Sequence, residues 1–531
     1  MSSATLPIGL CAATGPGYSG EFLPGHGAHS IERKKETVSK KPNIVVVIPE
    51  QWRGDMVGCA GHPVVQTPNL DALSEEGLYL NQAFTTNPIC TPSRCSLFTG
   101  WYPHTRGHRT QRYLLQPEEP NLLKCLRNEG YRVGYFGKND LLSEEAASES
   151  VDVCVSPGLE AETGWKPDLN DPNVYSFVQG KVRGAVGEHA DDPSVRLARR
   201  FISEVPRDRP YAVFLAWGFV HPPYRAHDPW YSMYSPDDAG YLSSPELPGK
   251  PKFYHLLREY HKLDEADPDI ARQQRAIYAA MISEADDLLG QFVSWLREEG
   301  EWDDTAFFLV SDHGNYAGQY GLPTKWWTGM EDALTHVPMY AHVPGCSAMG
   351  VSDALVQHMD IFATILELAG VETTWTHFSR SLLPLLNGRT GEHRSEVLAM
   401  SGCNRPHESA LQLDRSFLDK PLPPGAIYRP WREVLARHPD AACQTFMLRD
   451  NKWKYIHRTQ DVCELYDVRD DPHEERNLLC HATREAEATA GEMRLKLLDA
   501  IAHTVDTTPR DTADAGGFVP VVSPELRGFA K

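Results

Sequence analysis

The chain has 531 residues, of which 41% are apolar and 23% charged, so it can bury a large core and form two to four domains. Its 52 basic and 72 acidic residues give a net charge of -20, which repels the phosphates of nucleic acids and anionic lipid headgroups. We therefore expect no nucleic acid partner and no membrane partner, and an anionic substrate requires local positive charge or a metal ion.

The start of the chain and its cysteines indicate a reduced, cytoplasmic protein. No apolar run approaches the ~18 residues of a membrane span, and the first residues lack the basic and apolar regions of a signal peptide. The sequence has no acceptor site for N-glycosylation. Its 11 cysteines are odd in number and lack C-x-x-C spacing, which argues against a disulfide framework or a structural zinc site.

The predicted elements begin after an N-terminal extension. Residues 1–42 are rich in Gly, Ser and Pro and end in a charged run, so we predict a mobile extension there. Short β-branched or aromatic runs predict buried strands at 43–48, 211–218, 305–312 and 337–343. Apolar periodicity predicts helices at 67–77, 121–130, 192–205, 272–300 and 360–370. Because strands alternate with helices, we expect an α/β sandwich with a large, mostly parallel central sheet.

Ligands of such a sheet bind beyond the carboxyl ends of its strands. Five polar residues lie at or just after the predicted strand ends: Glu50 and Gln51, His221, and Asp312 with His313. We therefore expect these residues to contribute to the functional site.

The pattern changes near residue 395. Shorter segments at 444–458 and 463–468 predict antiparallel strands, and a final helix is expected near 481–504. We predict a catalytic α/β domain at 43–395. A C-terminal subdomain with a smaller antiparallel sheet, followed by a tail, is predicted at 396–531.

The segment around Cys90, ICTPSRCSLFTGWYP, contains the residues expected at the two ends of a helix. Pro92 suits the first turn, and Thr99 with Gly100 could close the helix. Cys90 would then lie at the positive end of the helix dipole with Arg94 nearby, where an anion is stabilised. A cysteine taken alone is more often a buried apolar side chain.

The spacing C-x-P-S-R, followed by T-G, resembles the signature of the sulfatase family within the alkaline phosphatase superfamily, in which the cysteine is oxidised to formylglycine. Further stretches resemble motifs of that family: GYRVGYFGK (130–138), VSDHG with GLPTK (310–325) and WKYIHR with ELYDVRDDPHEERNL (453–478). The resemblance runs from about Pro42 to Leu478. It implies an alkaline-phosphatase-like fold and a metal-dependent sulfuric ester hydrolase.

The resemblance also implies one divalent metal ion. Its ligands would be Glu50, Gln51, Asp312 and His313, with the modified Cys90 completing the shell. Oxygen-rich ligands favour calcium, while the histidine also admits manganese or zinc.

The remaining catalytic roles are likewise implied by the family. Lys138, Lys325 and His221 would hold the sulfate oxygens, and Arg94 would support the hydrated aldehyde. One hydroxyl of the hydrate attacks sulfur and the second later expels sulfate, which splits one difficult step into two. His221 would serve as the general acid. Conversion of the cysteine requires a separate formylglycine-generating enzyme.

Four further side chains are weaker candidates for the walls of the site. His104 and His108 follow the signature helix, and either could be structural. Trp326 and Trp327 follow Lys325 directly and could form an aromatic wall, although tryptophans are more often core residues.

Two positions depart from the family pattern. Glu50 stands where most relatives have Asp, a change that a flexible calcium shell tolerates. Asp140 stands where the family usually has the histidine that assists the formylglycine hydroxyl. A carboxylate there opposes an anionic ester by a few kcal/mol at ~4 Å and an effective dielectric of ~20.

Three functions therefore stay open. The expected substrate is a small-molecule sulfate ester, or a phosphonate monoester or phosphodiester, hydrolysed with the same nucleophile. A substrate with an amine would partly compensate the charge of Asp140. The third possibility is a catalytically impaired binding protein with the sulfatase fold.

Overall fold

The computed structural model describes residues 41–156, 167–168, 170–182, 191–404 and 427–507. The predicted extension at 1–42 therefore lies outside the described residues except for its last two positions.

The strands of the described residues, in chain order, are β1 (Asn43–Ile48), β2 (Leu78–Phe84), β3 (Arg132–Gly137), β4 (Val153–Val155), β5 (Val178–Lys181), β6 (Tyr211–Ala216), β7 (Tyr224–Ala226), β8 (Thr305–Val310), β9 (Met339–His342), β10 (Gly350–Gln357), β11 (Val397–Ser401), β12 (Thr445–Arg449), β13 (Trp453–Arg458) and β14 (Glu464–Asp467). The α-helices are α1 (Pro68–Ser74), α2 (Cys90–Thr99), α3 (Pro103–Arg106), α4 (Leu122–Asn128), α5 (Glu144–Ser150), α6 (Asp192–Ser203), α7 (Phe253–Tyr260), α8 (Ile270–Glu298), α9 (Asp332–Thr335), α10 (Asp360–Ala369), α11 (Leu383–Leu386), α12 (Arg429–Arg437) and α13 (Arg484–Val505).

A central sheet of eight strands has the order β10-β2-β9-β8-β1-β6-β3-β4. Strand β9 pairs antiparallel with both of its neighbours, and every other pairing in this sheet is parallel. The prediction of a mostly parallel α/β sheet is confirmed. Because β1 lies between β6 and β8, the chain segments that follow these three strands emerge side by side at one edge.

Both faces of the sheet are covered, which explains the continuous apolar run of β1. Val45 and Val47 pack into one core with residues of α6 and α8. Ile44, Val46 and Ile48 pack into a second core with residues of α2, α4 and α10. A strand buried on both faces needs apolar side chains at every position, so it does not alternate with polar residues.

A smaller antiparallel sheet follows, with the order β11-β12-β13-β14. Helix α13 packs on it through Met493 and Leu497, which share a buried cluster with Tyr455 and Leu465. The prediction of a second antiparallel sheet and a final helix is confirmed. This sheet belongs to the same compact unit as the α/β part, a unit that begins at Lys41. The boundary at residue 395 stays a prediction.

Several strands of the central sheet were not expected from the sequence. Strand β2 carries Asn81 and Gln82 in its middle, and β3 contains Gly134, so neither has the β-branched run that marks β1. Their pairing with β10 and β6 in the folded chain determines these strands. None of the helices in the described part of the chain is long and apolar enough to cross a membrane.

Candidate active site

The ends of strands β1 and β8 meet at the centre of the sheet. Val47 of β1 is in register with Leu309 of β8, so Glu50 and Asp312 follow on neighbouring strands. The backbone N–H of Gln51 donates to Asp312 Oδ1 at 3.1 Å. Gln51 has a φ of 66°, the left-handed region that non-glycine residues seldom adopt. The turn after β1 is thus tied directly to the turn after β8.

Helix α2 brings Cys90 to the same edge of the sheet. The helix begins at Cys90 and is closed by Gly100, which has a left-handed φ of 68°. The Ser93 hydroxyl donates to the backbone carbonyl of Asp312 at 2.6 Å and thereby fixes the first turn against β8. The predicted position of Cys90 at the start of a helix agrees with this geometry.

Cys90 lies among the predicted metal ligands. Its thiol donates to Glu50 Oε1 at 2.8 Å, and its Sγ is 3.3 Å from His313 Nε2. The Lys325 ammonium donates to the same sulfur at 2.9 Å. One ligand atom from each of Glu50, Cys90, Asp312 and His313 can be chosen so that all four lie within 4.8 Å of one another, and all four residues are buried.

The charges of this cluster favour a carboxylate at Glu50 and a neutral thiol at Cys90. Burial raises the pKa of the Glu50 carboxyl, but Lys138 and the other surrounding cations lower it well below its usual range. Burial, followed by the Glu50 carboxylate, raises the pKa of the Cys90 thiol despite the opposing effect of Lys325. The surroundings alone therefore do not make Cys90 a thiolate nucleophile.

His313 has the protonation state of a metal ligand. Burial lowers its pKa to about 4, although Asp312 raises it. Its Nδ1 lies 2.8 Å from the carbonyl of Gly314, so the neutral ring donates there and leaves the Nε2 lone pair directed at Cys90.

Gln51 adds a further ligand group. Its side chain is fully buried, and neither atom of its amide has a hydrogen-bond partner among the described residues. A buried amide without partners is rare in a folded protein. Two carboxylates, one amide oxygen and one imidazole nitrogen at this place fit a divalent cation.

Lys138, Arg94 and Asp140 surround the cluster with charge. Lys138 Nζ donates to both carboxylate oxygens of Glu50, at 2.6 and 2.7 Å, and lies 3.1 Å from Asp140 Oδ2. Arg94 donates to Asp312 Oδ2 at 3.1 Å and to the carbonyl of Lys138 at 2.9 Å. Arg94 is fully buried, so it acts on the site through these residues.

His221 follows β6 and completes the wall. Its side chain is 24% exposed, and its Nε2 is 3.9 Å from Glu50 Oε1. Burial, together with Lys138 and Lys325, lowers its pKa to about 3 despite the opposing effect of Glu50. Its Nδ1 lies 2.6 Å from the carbonyl of Pro222, so the neutral ring donates from Nδ1 and has a lone pair on Nε2.

Comparison with known proteins agrees with this geometry. The sequence model of the Sulfatase family matches residues 42–371, which is more than half of the chain. The chain belongs to the sulfatase family. The predictions of a sulfatase-family enzyme and of the alkaline-phosphatase-like sulfatase fold are confirmed.

Individual relatives of this sulfatase family chain are distant. PehA of Trinickia caryophylli, described as a multifunctional alkaline phosphatase superfamily protein, is 26% identical over 495 residues, which cover 82% of this chain and 91% of PehA. Choline-sulfatase of Rhizobium meliloti is 26% identical over 468 residues and 82% of each chain. The phosphonate monoester hydrolase of Agrobacterium radiobacter has a TM-score of 0.69 and 21% identity, covering 89% of this chain and 100% of the hydrolase.

A cavity of about 340 Å³ opens above the cluster of Glu50, Cys90, Asp312 and His313. Its floor contains the predicted residues Lys138, Asp140, His221 and Lys325. The rest of its lining consists of Gln111, Arg112, Thr324, Trp327, Tyr428, Trp431 and Arg432. Of these residues, only Trp327 is a candidate from the sequence. Tyr428, Trp431 and Arg432 belong to a segment around α12 whose sequence carries no family motif, so nothing local marks them.

Three of the weaker candidates lie elsewhere. The His104 ring contacts Met400 Sδ at 2.7 Å and the Thr504 hydroxyl at 2.9 Å. His108 pairs with Glu119 at 2.8 Å. The Trp326 indole donates to the carbonyl of Ala441 at 3.0 Å. None of the three lines the cavity, and these contacts give each one a structural role.

Proposed function

We propose that the protein hydrolyses a sulfate ester, with Cys90 converted to formylglycine and one divalent metal ion in the cluster beneath the cavity. This proposal rests on the position of Cys90 and on the groups that surround it. The residue begins helix α2, lies 2.8 Å from Glu50 and 2.9 Å from the Lys325 ammonium, and sits below a cavity lined by further cations. An anionic ester entering from the cavity would meet positive charge directly above the reacting side chain.

The metal ion would be held by Glu50, Gln51, Asp312 and His313, together with the converted Cys90. We favour calcium because most of these ligand atoms are oxygens. When bound, it would lower the negative charge of the ester and orient the attacking oxygen. Glu50 has enough lone pairs to bind the ion while it accepts hydrogen bonds from Lys138.

Lys138 and Lys325 would bind the remaining sulfate oxygens. Both line the cavity, and both ammonium groups lie within 4 Å of Glu50. The Lys325 ammonium already contacts the side chain of Cys90, so it would stay in contact with the transferred group throughout the reaction. Donors fixed in advance around developing charge are a large source of rate enhancement.

His221 would donate a proton to the oxygen of the leaving alcohol. In the neutral ring, Nδ1 donates to Pro222 and Nε2 faces Glu50. Nε2 can therefore accept the proton that the attacking hydroxyl of the formylglycine hydrate loses and donate that proton to the leaving oxygen, which is general acid–base catalysis.

Conversion of Cys90 would precede burial of its segment. Every residue of α2 from Cys90 to Thr99 is buried, so a formylglycine-generating enzyme could reach the cysteine only before the chain folds around it. Coexpression with such an enzyme is therefore part of the test.

A phosphonate monoester or phosphodiester is the second candidate substrate. The relative PehA is described as a multifunctional alkaline phosphatase superfamily protein, and the phosphonate monoester hydrolase shares the fold. Asp140, which pairs with Lys138 at 3.1 Å, reduces the net positive charge offered to any of these esters. Sulfate monoesters, phosphonate monoesters and phosphodiesters each carry one negative charge, so this pairing does not choose among them. A binding protein without turnover is the third candidate and is motivated by the same residue.

The deciding experiment combines mass spectrometry with rates. The tryptic peptide Gly54 to Arg94 should show converted Cys90 in active protein, and the chain should hydrolyse para-nitrophenyl sulfate faster than a phenylphosphonate ester. An unconverted cysteine in fully active protein would overturn the formylglycine proposal. Faster turnover of the phosphonate ester would favour the second candidate. Converted, metal-loaded protein with neither turnover nor a burst of nitrophenol would leave only the binding function.

A further inference from the structure

Five residues of the cavity lining have no proposed catalytic role and are here called the cavity mouth: Arg112, Trp327, Tyr428, Trp431 and Arg432. These residues come from three separate parts of the chain, and none belongs to the metal cluster. The mouth borders the floor directly, since the ring of Tyr428 is 6.4 Å from that of His221. The leaving alcohol of an ester bound at Cys90 would therefore extend into the mouth.

Two indole N–H groups in the mouth have no acceptor among the described residues. They belong to Trp327, which is fully buried, and to Trp431, which is 7% exposed. The centres of the two rings lie 6.2 Å apart, and both residues line the same cavity. Trp326, next in sequence but outside the cavity lining, has its indole satisfied by Ala441. Because buried donors are nearly always paired, this pair points to an acceptor supplied by a ligand.

The described residues of the mouth include two cationic side chains and no carboxylate. Arg112 and Arg432 contribute two guanidinium groups beyond the lysines of the floor. Burial, followed by repulsion from Arg429, lowers the pKa of Arg432, as expected for a crowded positive region. The chain as a whole carries a net charge of -20, so this positive region is a local feature.

We propose that the cavity mouth binds an oxyanion carried by the leaving alcohol, held by the indole N–H groups of Trp327 and Trp431 and by Arg112 and Arg432. The inference rests on the proposed function and names its substrate class: an ester whose alcohol bears a second negative group, a carboxylate or a sulfo group. A cavity of about 340 Å³ suits an alcohol with one ring and its substituents.

A cationic alcohol is the competing occupant. Aromatic rings attract quaternary ammonium groups, and Asp140 lines the same cavity. However, Asp140 lies 3.1 Å from the Lys138 ammonium, so its charge is already compensated. The other charged side chains that the described residues contribute to the lining, those of Arg112, Lys325 and Arg432, are all cationic. A second cation would be repelled.

The test uses the mature, metal-loaded protein and four para-nitrophenyl sulfates. One is unsubstituted, and the others carry a carboxylate, a sulfonate or a trimethylammonium group meta to the ester oxygen. We expect KM to fall by about tenfold for the carboxylate or the sulfonate relative to the unsubstituted ester, the range of a charge-assisted hydrogen bond. The carboxylate and sulfonate arms identify which oxyanion is preferred.

Variants assign the effect to the mouth. Arg432→Gln removes the charge, and Trp431→Phe removes the N–H while keeping an aromatic ring. Each should reduce the tenfold ratio of KM between the unsubstituted and the anionic esters to about one. Arg437→Gln is the matched control, because Arg437 is exposed on the same helix and does not line the cavity. Melting temperatures identify a variant that fails to fold, in which case the other variant decides.

Binding of the free nitrophenols, measured by calorimetry, separates this inference from the proposed function. Tighter binding of the carboxylated or sulfonated phenol supports the mouth even if no ester is hydrolysed. The inference is overturned if the unsubstituted ester turns over but neither anion improves KM or binding, or if the trimethylammonium ester is preferred. Unchanged discrimination in both variants would also overturn it.

Discussion

The floor of the cavity, here taken together with the cluster of Glu50, Cys90, Asp312 and His313 beneath it, differs from the mouth in how its residues are held. On the floor, Glu50, Asp312 and His313 follow neighbouring parallel strands, and each is fixed by several hydrogen bonds or ion pairs. In the mouth, Trp327 and Trp431 come from a loop and from α12, and their indole donors lack acceptors among the described residues. On our proposal, the hydrogen bonds of the floor are in place before substrate binds, whereas the indole donors of the mouth gain acceptors only from the substrate. Changes in the floor should therefore lower kcat for all esters, and changes in the mouth should alter the choice between esters.

Removal of the nucleophile gives the largest expected effect. Cys90→Ala should lower kcat by at least about 10⁴-fold for every ester, because no other group replaces the reacting atom. The control is Cys125→Ser, on α4 and half-buried, which should keep activity. Residual activity within tenfold of the parent would show that the floor does not contain the nucleophile.

Removal of the metal should affect the floor alone. Treatment with a chelator should lower kcat by about 10³-fold, and metal at 100 times its Kd should restore both activity and about 2.7 kcal/mol of stability. Calcium should serve the converted protein, while unconverted Cys90 should shift the preference towards zinc, because a thiolate is a softer ligand. Full activity after exhaustive chelation would contradict the assigned cluster. Binding of the free nitrophenols in the mouth should change little.

Lys325 is expected to contribute next. Lys325→Met should lower kcat by about 10²- to 10³-fold, because the ammonium that contacts Cys90 Sγ would no longer stabilise charge on the transferred group. Lys325→Arg should recover part of this loss. Lys452→Met, at a half-exposed lysine on the smaller sheet, is the surface control. A change in KM with kcat preserved would assign Lys325 to ground-state binding instead.

Asp140 is the exception on the floor, because its replacement should raise kcat for every ester rather than lower it. Sulfate monoesters and phosphonate monoesters each carry one negative charge, so the Asp140 carboxylate opposes both of them. Asp140→His restores the family residue and releases Lys138 from its ion pair with Asp140, so turnover of both esters should rise by about tenfold. Asp140→Asn removes the charge without adding an imidazole and separates the two effects. Unchanged turnover in both variants would remove the argument from charge.

The smallest effect concerns stability in acid. His261 packs against Phe177, which contacts Tyr428 of the mouth. Burial lowers the pKa of His261 to about 4 from 6.5, so the unfolded chain binds a proton that the folded chain does not. Its contribution is complete above about pH 6.5 and is lost as the pH falls towards 4. The free energy of unfolding should be measured in urea from pH 7 to 5. It should fall less steeply with decreasing pH in His261→Asn than in the parent, and the two slopes should differ by at most about 1.4 kcal/mol per pH unit. Parallel slopes would show that His261 does not titrate in this way.

Much of the floor could be predicted from local patterns. Glu50 and Asp312 follow runs that form buried parallel strands, and parallel strands end at one edge of a sheet. Cys90 was placed at a helix start by the proline and glycine around it, and α2 begins and ends as these residues indicate. The motifs that resemble the sulfatase family identified Lys138 and Lys325, and both lie at the floor.

Tertiary packing decided what these patterns do not contain. Nothing near Trp431 in the sequence indicates that α12 lies over the cavity. His104 and His108 are close to Cys90 in sequence, yet their rings contact other groups because α2 ends and the chain turns away. The sequence by itself determined the reacting edge of the sheet, because strand ends and helix starts depend on neighbouring residues. The shape and charge of the mouth depend on contacts between segments hundreds of residues apart, which only the folded chain brings together.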